Sequence, residues 1–310
     1  MAYGFSPFVW AALNEASPKY IKMDDDKKPV WYSLPDNDFQ DRLIALRPEI
    51  ESMLDAVDSA DLKAVAAPTA EIVNKFLTDQ GMDIQLDQWD DPDTIGVAAV
   101  IKILMRRWIA QVRTGFNFSS GKREDSYILT SRDPSAPTVR IEVVGDQIMT
   151  TVPVEGGYEV SLITHTSRPP EGMELCDYWM ACRALAEPHE KYTGVMYPSL
   201  LLEDIRPDLS ALLGMFCIDD DGGKWKLTQV LEQIRFAMGP GGISAVAAVA
   251  AAATLEAAFS NPEPEEDIFI FDSPGLWALW KVGKLAPVIV GHFDREDFSP
   301  VDVDVFGLKW

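Results

Sequence analysis

The segment from residue 239 to 259, GPGGISAVAAVAAAATLEAAF, is the feature that most limits how this chain folds. Alanine has the highest helix propensity, so such a run ordinarily predicts a helix. Every second residue from Ile243 to Leu255 is nevertheless apolar, which is typical of a strand with one buried face. The polar side chains all fall on the other parity: Ser244, Thr254 and Glu256. Helix and strand both stay open, and side chains this small would let the segment slide between two strands.

The net charge limits which partners the chain binds. It has 310 residues and a formal net charge of −22, with no basic run of five or more. Such a charge repels phosphate backbones and anionic lipid surfaces, so we expect neither a nucleic-acid nor a membrane partner. A chain of this length buries about three quarters of its unfolded surface, enough for a sizeable core.

The three cysteines, Cys176, Cys182 and Cys217, lack CxxC spacing. A sparse, odd set suits a reducing compartment and predicts no zinc site. The first residues, MAYGFSPFVWAAL, have no basic stretch followed by an apolar one, and the apolar run 243–253 is too short to span a bilayer. We therefore expect a cytoplasmic protein, with export by another route left open.

Hydrophobic spacing predicts helices in the first half of the chain and strands in the second. Helices are expected over 38–62, divided at Pro48, and over 68–80, with Thr69 as the N-cap. Residues 95–109 are open between a buried strand and a helix. Alternating apolar residues, interrupted by Gly and Pro, predict the remaining elements. They are antiparallel strands over 126–166, a helix over 173–187, a strand over 194–202, a short helix over 207–216, a helix or strand over 225–238, and a terminal hairpin from 268 to 293. This order favours one α+β domain.

Motifs of enzyme chemistry are missing from the sequence. His165, His189 and His292 lie far apart, and there is no GxSxG, HExxH, phosphate-binding loop or GxGxxG. The DDDGG run at 219–223 lacks the alternating ligands and closing Glu of a calcium loop, which favours an acidic turn. We expect no enzyme, no metal and no cofactor.

Five segments, in the same order along the chain, resemble serpin motifs. They are FSPF at 5–8, IVNKF at 72–76 continuing to Trp108, YPSLLLE at 197–203 with DLSALLG at 208–214, KLTQVLEQIRFAM at 226–238 followed by Gly242 and the alanine run, and FDSPGLW at 271–277 with PVIVGHF at 287–293.

The resemblance implies an α+β, serpin-like fold in a single domain over 1–310. Its N-terminal helices would pack on a large, mostly antiparallel sheet, with a second sheet formed largely by the C-terminal half. Residues 239–267 would be the hinge and exposed Ala-rich reactive-centre loop, and 294–310 a C-terminal extension.

The resemblance also implies a function. Serpins are suicide inhibitors, mostly of serine proteases: the protease cleaves the exposed loop, which then inserts into the main sheet with the protease attached. By the family's spacing, the hinge residues would be Gly242, Ile243, Ser244, Ala245, Val246, Ala247, Ala248 and Val249. The scissile region would be Leu255, Glu256, Ala257, Ala258 and Phe259. Leu or Phe there suits a chymotrypsin- or subtilisin-like protease and Ala an elastase-like one, and the inhibitor is expected to be a monomer.

Departures from the family pattern motivate an alternative, a non-inhibitory serpin-fold binding or structural protein. Gly239 to Gly241 stand where acidic residues are usual, and Ile243 stands where a Thr or Ser is usual. Val100 replaces a central-strand Asn, Gly275 a Phe and His292 an Arg. These changes argue against the family's shutter and fast loop insertion more than against its fold.

Overall fold

The computed structural model describes residues 3–7, 9–15, 21, 29–57, 62–90, 96–106, 111–117, 123–130, 139–165, 170–239, 242–246 and 267–298. Helices in this part are α1 (Val9–Glu15), α2 (Asp38–Ala45), α3 (Arg47–Leu54), α4 (Ala70–Asp79) and α5 (Met173–Leu185). Single 3-10 turns lie at Glu155–Gly157, Ser210–Leu212 and Arg295–Asp297. The predicted division near Pro48 is confirmed, since Pro48 lies in the first turn of α3.

The strands of the described residues are short and mostly antiparallel. In chain order they are β1 (Tyr3–Phe5), β2 (Trp31–Tyr32), β3 (Leu62–Ala67), β4 (Gly96–Arg106), β5 (Gln111–Asn117), β6 (Arg123–Thr130), β7 (Arg140–Val144), β8 (Gln147–Val154), β9 (Tyr158–Thr164), β10 (Glu187–Pro188), β11 (Gly194–Pro198), β12 (Leu200–Ile205), β13 (Phe216–Ile218), β14 (Lys224–Lys226), β15 (Ile234–Gly239), β16 (Gly242–Val246), β17 (Ile268–Ile270), β18 (Gly275–Lys281) and β19 (Ile289–Phe293).

A seven-stranded antiparallel sheet contains much of the core. Its order is β1-β19-β18-β9-β8-β7-β10, and the terminal hairpin β18–β19 lies between β9 and β1. Residues of β18 and β9 are buried along nearly their whole length because both faces of these strands are covered. Two smaller sheets have the orders β17-β11-β6-β5 and β14-β13-β2.

A five-stranded sheet has the order β12-β15-β16-β4-β3, and all its neighbours are antiparallel. Helix α1 packs against β3 and β4. Helix α4 packs on the same two strands, where Val73 and Leu77 form a small apolar cluster with Ala98 and Val100. Strands β3 and β4, at one edge of this sheet, therefore lie between α1, on the side of the main core, and α4.

The α+β class and the large antiparallel sheet are confirmed. Residues 95–109 and 225–238 were each left open between helix and strand. The described part of the first segment is strand β4, and the second segment contains strand residues of β14 and β15.

Four element predictions were wrong in part. The second helix expected within 38–62 ends at Leu54, and Leu62 begins strand β3. Of the hairpin expected from 268 to 293, β17 lies in a different sheet, where it pairs in parallel with β11. The strand expected over 194–202 is divided into β11 and β12, and the helix expected over 207–216 is reduced to one 3-10 turn.

Thr69 holds the N-cap position of α4, although its side chain makes no capping hydrogen bond. Of the predicted extension 294–310, residues 294–298 are described and end on the buried Phe298. The remaining residues of the extension lie outside the described part. Within the described residues, no helix is long and apolar enough to cross a membrane.

Candidate functional site

Strand β16 contains the first five of the predicted hinge residues. It pairs with β15 on one side, from Gly242 opposite Gly239 to Val246 opposite Arg235. On the other side it pairs with β4, from Gly242 opposite Arg106 to Val246 opposite Lys102. The beginning of the alanine segment is therefore an interior strand of the five-stranded sheet. The other hinge residues, Ala247, Ala248 and Val249, and the scissile region Leu255, Glu256, Ala257, Ala258 and Phe259 lie outside the described residues.

The register of β16 relates the hinge to the core. Ile243 lies opposite Met238 and Ala245 lies opposite Phe236. Met238 and Phe236 are both buried, and the ring of Phe236 stacks on Trp277 of the seven-stranded sheet with 4.1 Å between ring centroids. Ile243 and Ala245 thus share a register with core-facing residues of β15.

A cavity of about 110 Å³ lies between β4 and the residues that lead into β15, and Val246, the last described residue of β16, precedes it in the register. We call it the slot. Residues 97–100 of β4 line one wall and residues 229–234, which lead into β15, line the other. Helix α1 closes it on the core side, and residues at the end of α4 and just after it close the opposite side. The residues of these two covers are Val9, Ala12, Leu13, Leu77, Met82, Ile84 and Leu86.

The slot is apolar apart from four polar residues, Ser6, Gln229, Glu232 and Gln233. Glu232 Oε2 accepts the backbone N–H of Ser6 at 3.2 Å. Burial raises the pKa of Glu232 to about 8, and the Ser6 hydrogen bond only partly opposes that rise. Glu232 is the only ionisable group among the described residues lining the slot.

The segment 83–87, which follows α4, is fixed to the wall formed by residues 229–235. The Asp83 backbone N–H donates to Gln233 Oε1 at 2.9 Å, and the Asp87 N–H donates to Gln229 Oε1 at 2.8 Å. Asp83 also pairs with Arg235, and the Gln233 amide donates to Asp204 at 2.7 Å. Since α4 itself packs on β3 and β4, the helix and its following segment are attached to both sides of the slot.

Sequence reasoning included Glu232 within the segment 226–238 but did not single it out. The alternation of β15 contained the signal. Glu232 precedes Ile234, Phe236 and Met238 at the same two-residue spacing, so it holds a core-facing position with an ionisable side chain. Three of the departures from the family pattern are buried: Val100 in the cluster under α4, and Gly275 and His292 in the seven-stranded sheet. Among the described residues no group of three His, Cys, Asp or Glu side chains is arranged to hold a metal ion.

No protein-family model matches the chain, and no curated protein matches it. Solved structures do match. Human thyroxine-binding globulin, in a complex with thyroxine, is 11% identical, with 94% of this chain and 91% of that chain covered and a TM-score of 0.54. The chain has the serpin fold. Serpin48 of the insect Tenebrio molitor matches at 14% identity, over 94% of this chain and 91% of that one, with a TM-score of 0.48.

SRPN18 of Anopheles gambiae matches at 11% identity, over 95% and 92% of the two chains, with a TM-score of 0.49. Another thyroxine-binding globulin complex is matched over 63% of its length, with a TM-score of 0.46. At these identities the likeness establishes the serpin fold alone. An argument about function therefore depends on this chain's own slot and alanine segment.

Proposed function

We propose that this protein is a serpin-type suicide inhibitor of a serine protease. The observation that carries the proposal is the position of β16, which is paired with both β15 and β4 while the slot continues beyond Val246. An interior strand that ends where an apolar cavity begins is suited to be lengthened by the residues that follow it.

Extending the pairing of β16 past Val246 gives the wall residues that an inserted segment would lie opposite. In that continued register each further residue would meet one residue on each wall: Ala248 would meet Val100 and Gln233, and Val249 would meet Ala99 and Glu232. Residues 247–252 would in this way fill the stretch from Ile101 to Gly96. They are AAVAAA, small enough to enter between two existing strands with little steric cost.

The proposed reaction begins when the serine hydroxyl of a protease attacks a carbonyl within 255–259. The peptide bond breaks, and the new amino terminus leaves while the carbonyl stays bound as an acyl-enzyme. The freed segment then lengthens β16 and carries the protease with it. About a dozen added ladder hydrogen bonds at ~0.5–1.5 kcal/mol each give ~6–18 kcal/mol. That range is comparable to the whole stability of a domain, ~5–15 kcal/mol, and is enough to distort a docked enzyme.

The side chains of the scissile region indicate the specificity of the protease that would be inhibited. Leu255 and Phe259 suit chymotrypsin- or subtilisin-like proteases, while Ala257 and Ala258 suit elastase-like ones. The window contains no Arg or Lys, which disfavours a trypsin-like target. We propose that the inhibitor acts as a cytoplasmic monomer and needs no cofactor.

The test is incubation with chymotrypsin, subtilisin and elastase, followed by a denaturing gel. We expect a band at the summed mass of inhibitor and protease that survives boiling in detergent. A Val249→Arg variant, with a charge on the core-facing register, should be cleaved without forming that band, whereas Val249→Ala should still form it. Cleavage of the unaltered chain with no such band for any of these proteases would exclude the inhibitor function.

The second candidate is a non-inhibitory serpin-fold binding or structural protein. One hinge residue favours this second candidate, because Ile243 has a large side chain where the family usually has Thr or Ser. In that case cleavage would leave the chain nicked, without a covalent complex and without a gain in thermal stability.

A further inference from the structure

The slot has space for a small molecule and an entrance from solvent. Its volume is about 110 Å³, and Leu231, one of its lining residues, is 49% exposed, so the cavity reaches the surface there. An apolar cavity of ~150 Å³ holds a molecule the size of benzene, so this one suits an apolar group of about four or five non-hydrogen atoms. Apolar walls with a few polar groups are the usual form of a small-molecule site.

Of the four polar residues in the slot, Glu232 is the one with a free hydrogen-bonding group. The side-chain oxygens of Gln229 and Gln233 accept backbone N–H groups from the segment 83–87, and the Ser6 hydroxyl donates to a backbone carbonyl at 2.8 Å. Glu232 Oε2 accepts the Ser6 N–H at 3.2 Å, and among the described residues none donates a hydrogen bond to Oε1. The carboxyl therefore has an oxygen left to bind a ligand.

The groups that face Glu232 from the surrounding elements leave this carboxyl without a counter-charge. The residues of α1 and of the α4 side that line the slot are apolar. Helix α5 contributes Cys176, and burial and, to a lesser degree, the Glu232 charge raise the pKa of that thiol. Arg42 of α2 acts on the same thiol but forms an ion pair with Asp177. A ligand with a positive charge would supply what these described residues do not.

We propose that the slot binds a small apolar amine, with its ammonium group on the Glu232 carboxyl and its hydrocarbon part between β4 and residues 229–234. The formal net charge of −22 favours a cation over an anion at long range. A metal ion would need several oxygen ligands, and Glu232 is the one carboxylate among the described residues lining the slot. The proposal does not depend on the inhibitor function, since it concerns the intact chain alone.

The affinity for an amine should depend on pH. Burial raises the pKa of Glu232 to about 8, so the carboxyl of the empty slot is protonated at neutral pH. An ammonium group beside it favours the charged form and lowers this pKa, so binding releases a proton. Below about pH 8 the affinity therefore rises with pH, by up to about tenfold per unit, and near that pH the rise ends.

The experiment titrates n-butylamine into the full, uncleaved chain labelled with carbon-13 at its methionine methyl groups. Met82 lines the slot and reports binding there, whereas the buried Met149 of the seven-stranded sheet is the internal control. We expect a saturable shift of the Met82 signal without one of Met149, at a Kd of ~0.1–10 mM for so small a ligand. At about pH 8, n-butanol should bind about tenfold more weakly or less, and butyrate should not bind.

Glu232→Gln should weaken butylamine binding by about tenfold or more and leave butanol binding unchanged, because the amide keeps the shape of the carboxyl without its charge. Glu187→Gln, on the exposed strand β10, removes a charge elsewhere and should bind butylamine like the unaltered chain. In the unaltered chain, equal affinities for butylamine and butanol, an affinity for butylamine that does not rise between about pH 6 and about pH 8, or no shift of Met82 would each overturn the proposal. These three outcomes hold even where Glu232→Gln fails to fold, and none of them bears on the inhibitor function.

Discussion

Glu159 shows how a buried charge is stabilised in the seven-stranded sheet. Its side chain is only 7% exposed, and Arg140 donates to both its oxygens, at 2.8 and 3.1 Å. Arg183 of α5 donates to Oε2 at 2.9 Å and stacks over the Trp280 ring. The Arg140 hydrogen bond lowers the pKa of Glu159 more than burial raises it. The carboxylate therefore stays charged and connects strands β7 and β9 to helix α5.

Replacing Glu159 with Gln should lower the free energy of unfolding at neutral pH by ~1–3 kcal/mol, because two partly buried guanidinium groups lose their counter-charge. A carboxyl whose folded pKa is lowered contributes stability above its unfolded pKa, near 4.5. That contribution is lost as the pH falls through the lowered pKa. Urea unfolding at neutral and acidic pH should therefore show the two proteins converging in acid. If the free energy of unfolding of Glu159→Gln differs from that of the unaltered protein by as much in acid as at neutral pH, this account is contradicted. Glu187→Gln, at an exposed position, is the control.

Two single residues, Gly275 and Glu232, show what could and could not be predicted from the sequence. Gly275, predicted as a departure from a family Phe, pairs with Phe293, and a β-carbon there would lie 2.7 Å from that ring and 2.6 Å from the Ile163 carbonyl. Phe293 fills the space, but only three-dimensional pairing brings two residues 18 positions apart together. Glu232, in contrast, was detectable, because its two-residue spacing from Ile234, Phe236 and Met238 assigns it to the same face as these core residues.

At the scale of elements, α4 and the segment 83–87 cover one side of the slot, and under the proposed function an inserting strand would pass beneath them. Gln233 is the buried point of attachment, with its amide group bonded to both the Asp83 N–H and Asp204. Gln229 attaches Asp87 through hydrogen bonds that are exposed. The two glutamines thus hold the same cover with different degrees of burial.

Gln233→Ala should destabilise the uncleaved form by ~1–3 kcal/mol, since hydrogen bonds to a buried amide are lost. Because the cover is then held less firmly, insertion under mild heating should be faster, by about tenfold for each ~1.4 kcal/mol that the barrier falls. The rate can be followed as the gain of heat-resistant protein with time. Gln229→Ala should have the smaller effect, and an equal or larger effect would contradict the role given to Gln233.

Elements with strong periodicity were predictable, and those decided by neighbours were not. The helices α2, α3 and α4 follow from apolar spacing and from the position of Pro48. The run that became β4 is apolar on both faces because α1 and α4 cover it, and such a run has no period that separates strand from helix. For the same reason the start of the alanine segment became a strand only through its two neighbours, β15 and β4.

For the whole molecule, the proposed inhibitor function requires that the uncleaved protein is not in its most stable state. Residues 97–100 of β4 and residues 229–233 line the slot, and under the proposed function the inserted segment would pair with both of these walls. The intact loop would then prevent full insertion, and cleavage would remove that constraint. Kinetics rather than equilibrium would then hold the native state.

Cleavage within 255–259 should therefore raise the thermal midpoint. An added ~6–18 kcal/mol, divided by an unfolding entropy of about 2.1 cal/mol/K per residue, corresponds to roughly 9–28 °C for a chain of this length. Calorimetry of intact and elastase-cleaved protein below about pH 8, where Glu232 is protonated, measures this shift directly. Val249→Arg, cleaved in the same way, should keep the midpoint of its intact form, because a guanidinium on the core-facing register cannot enter the slot. If the unaltered chain also keeps its midpoint after cleavage, the alanine segment does not complete the sheet, and the likeness to inhibitory serpins is one of fold only.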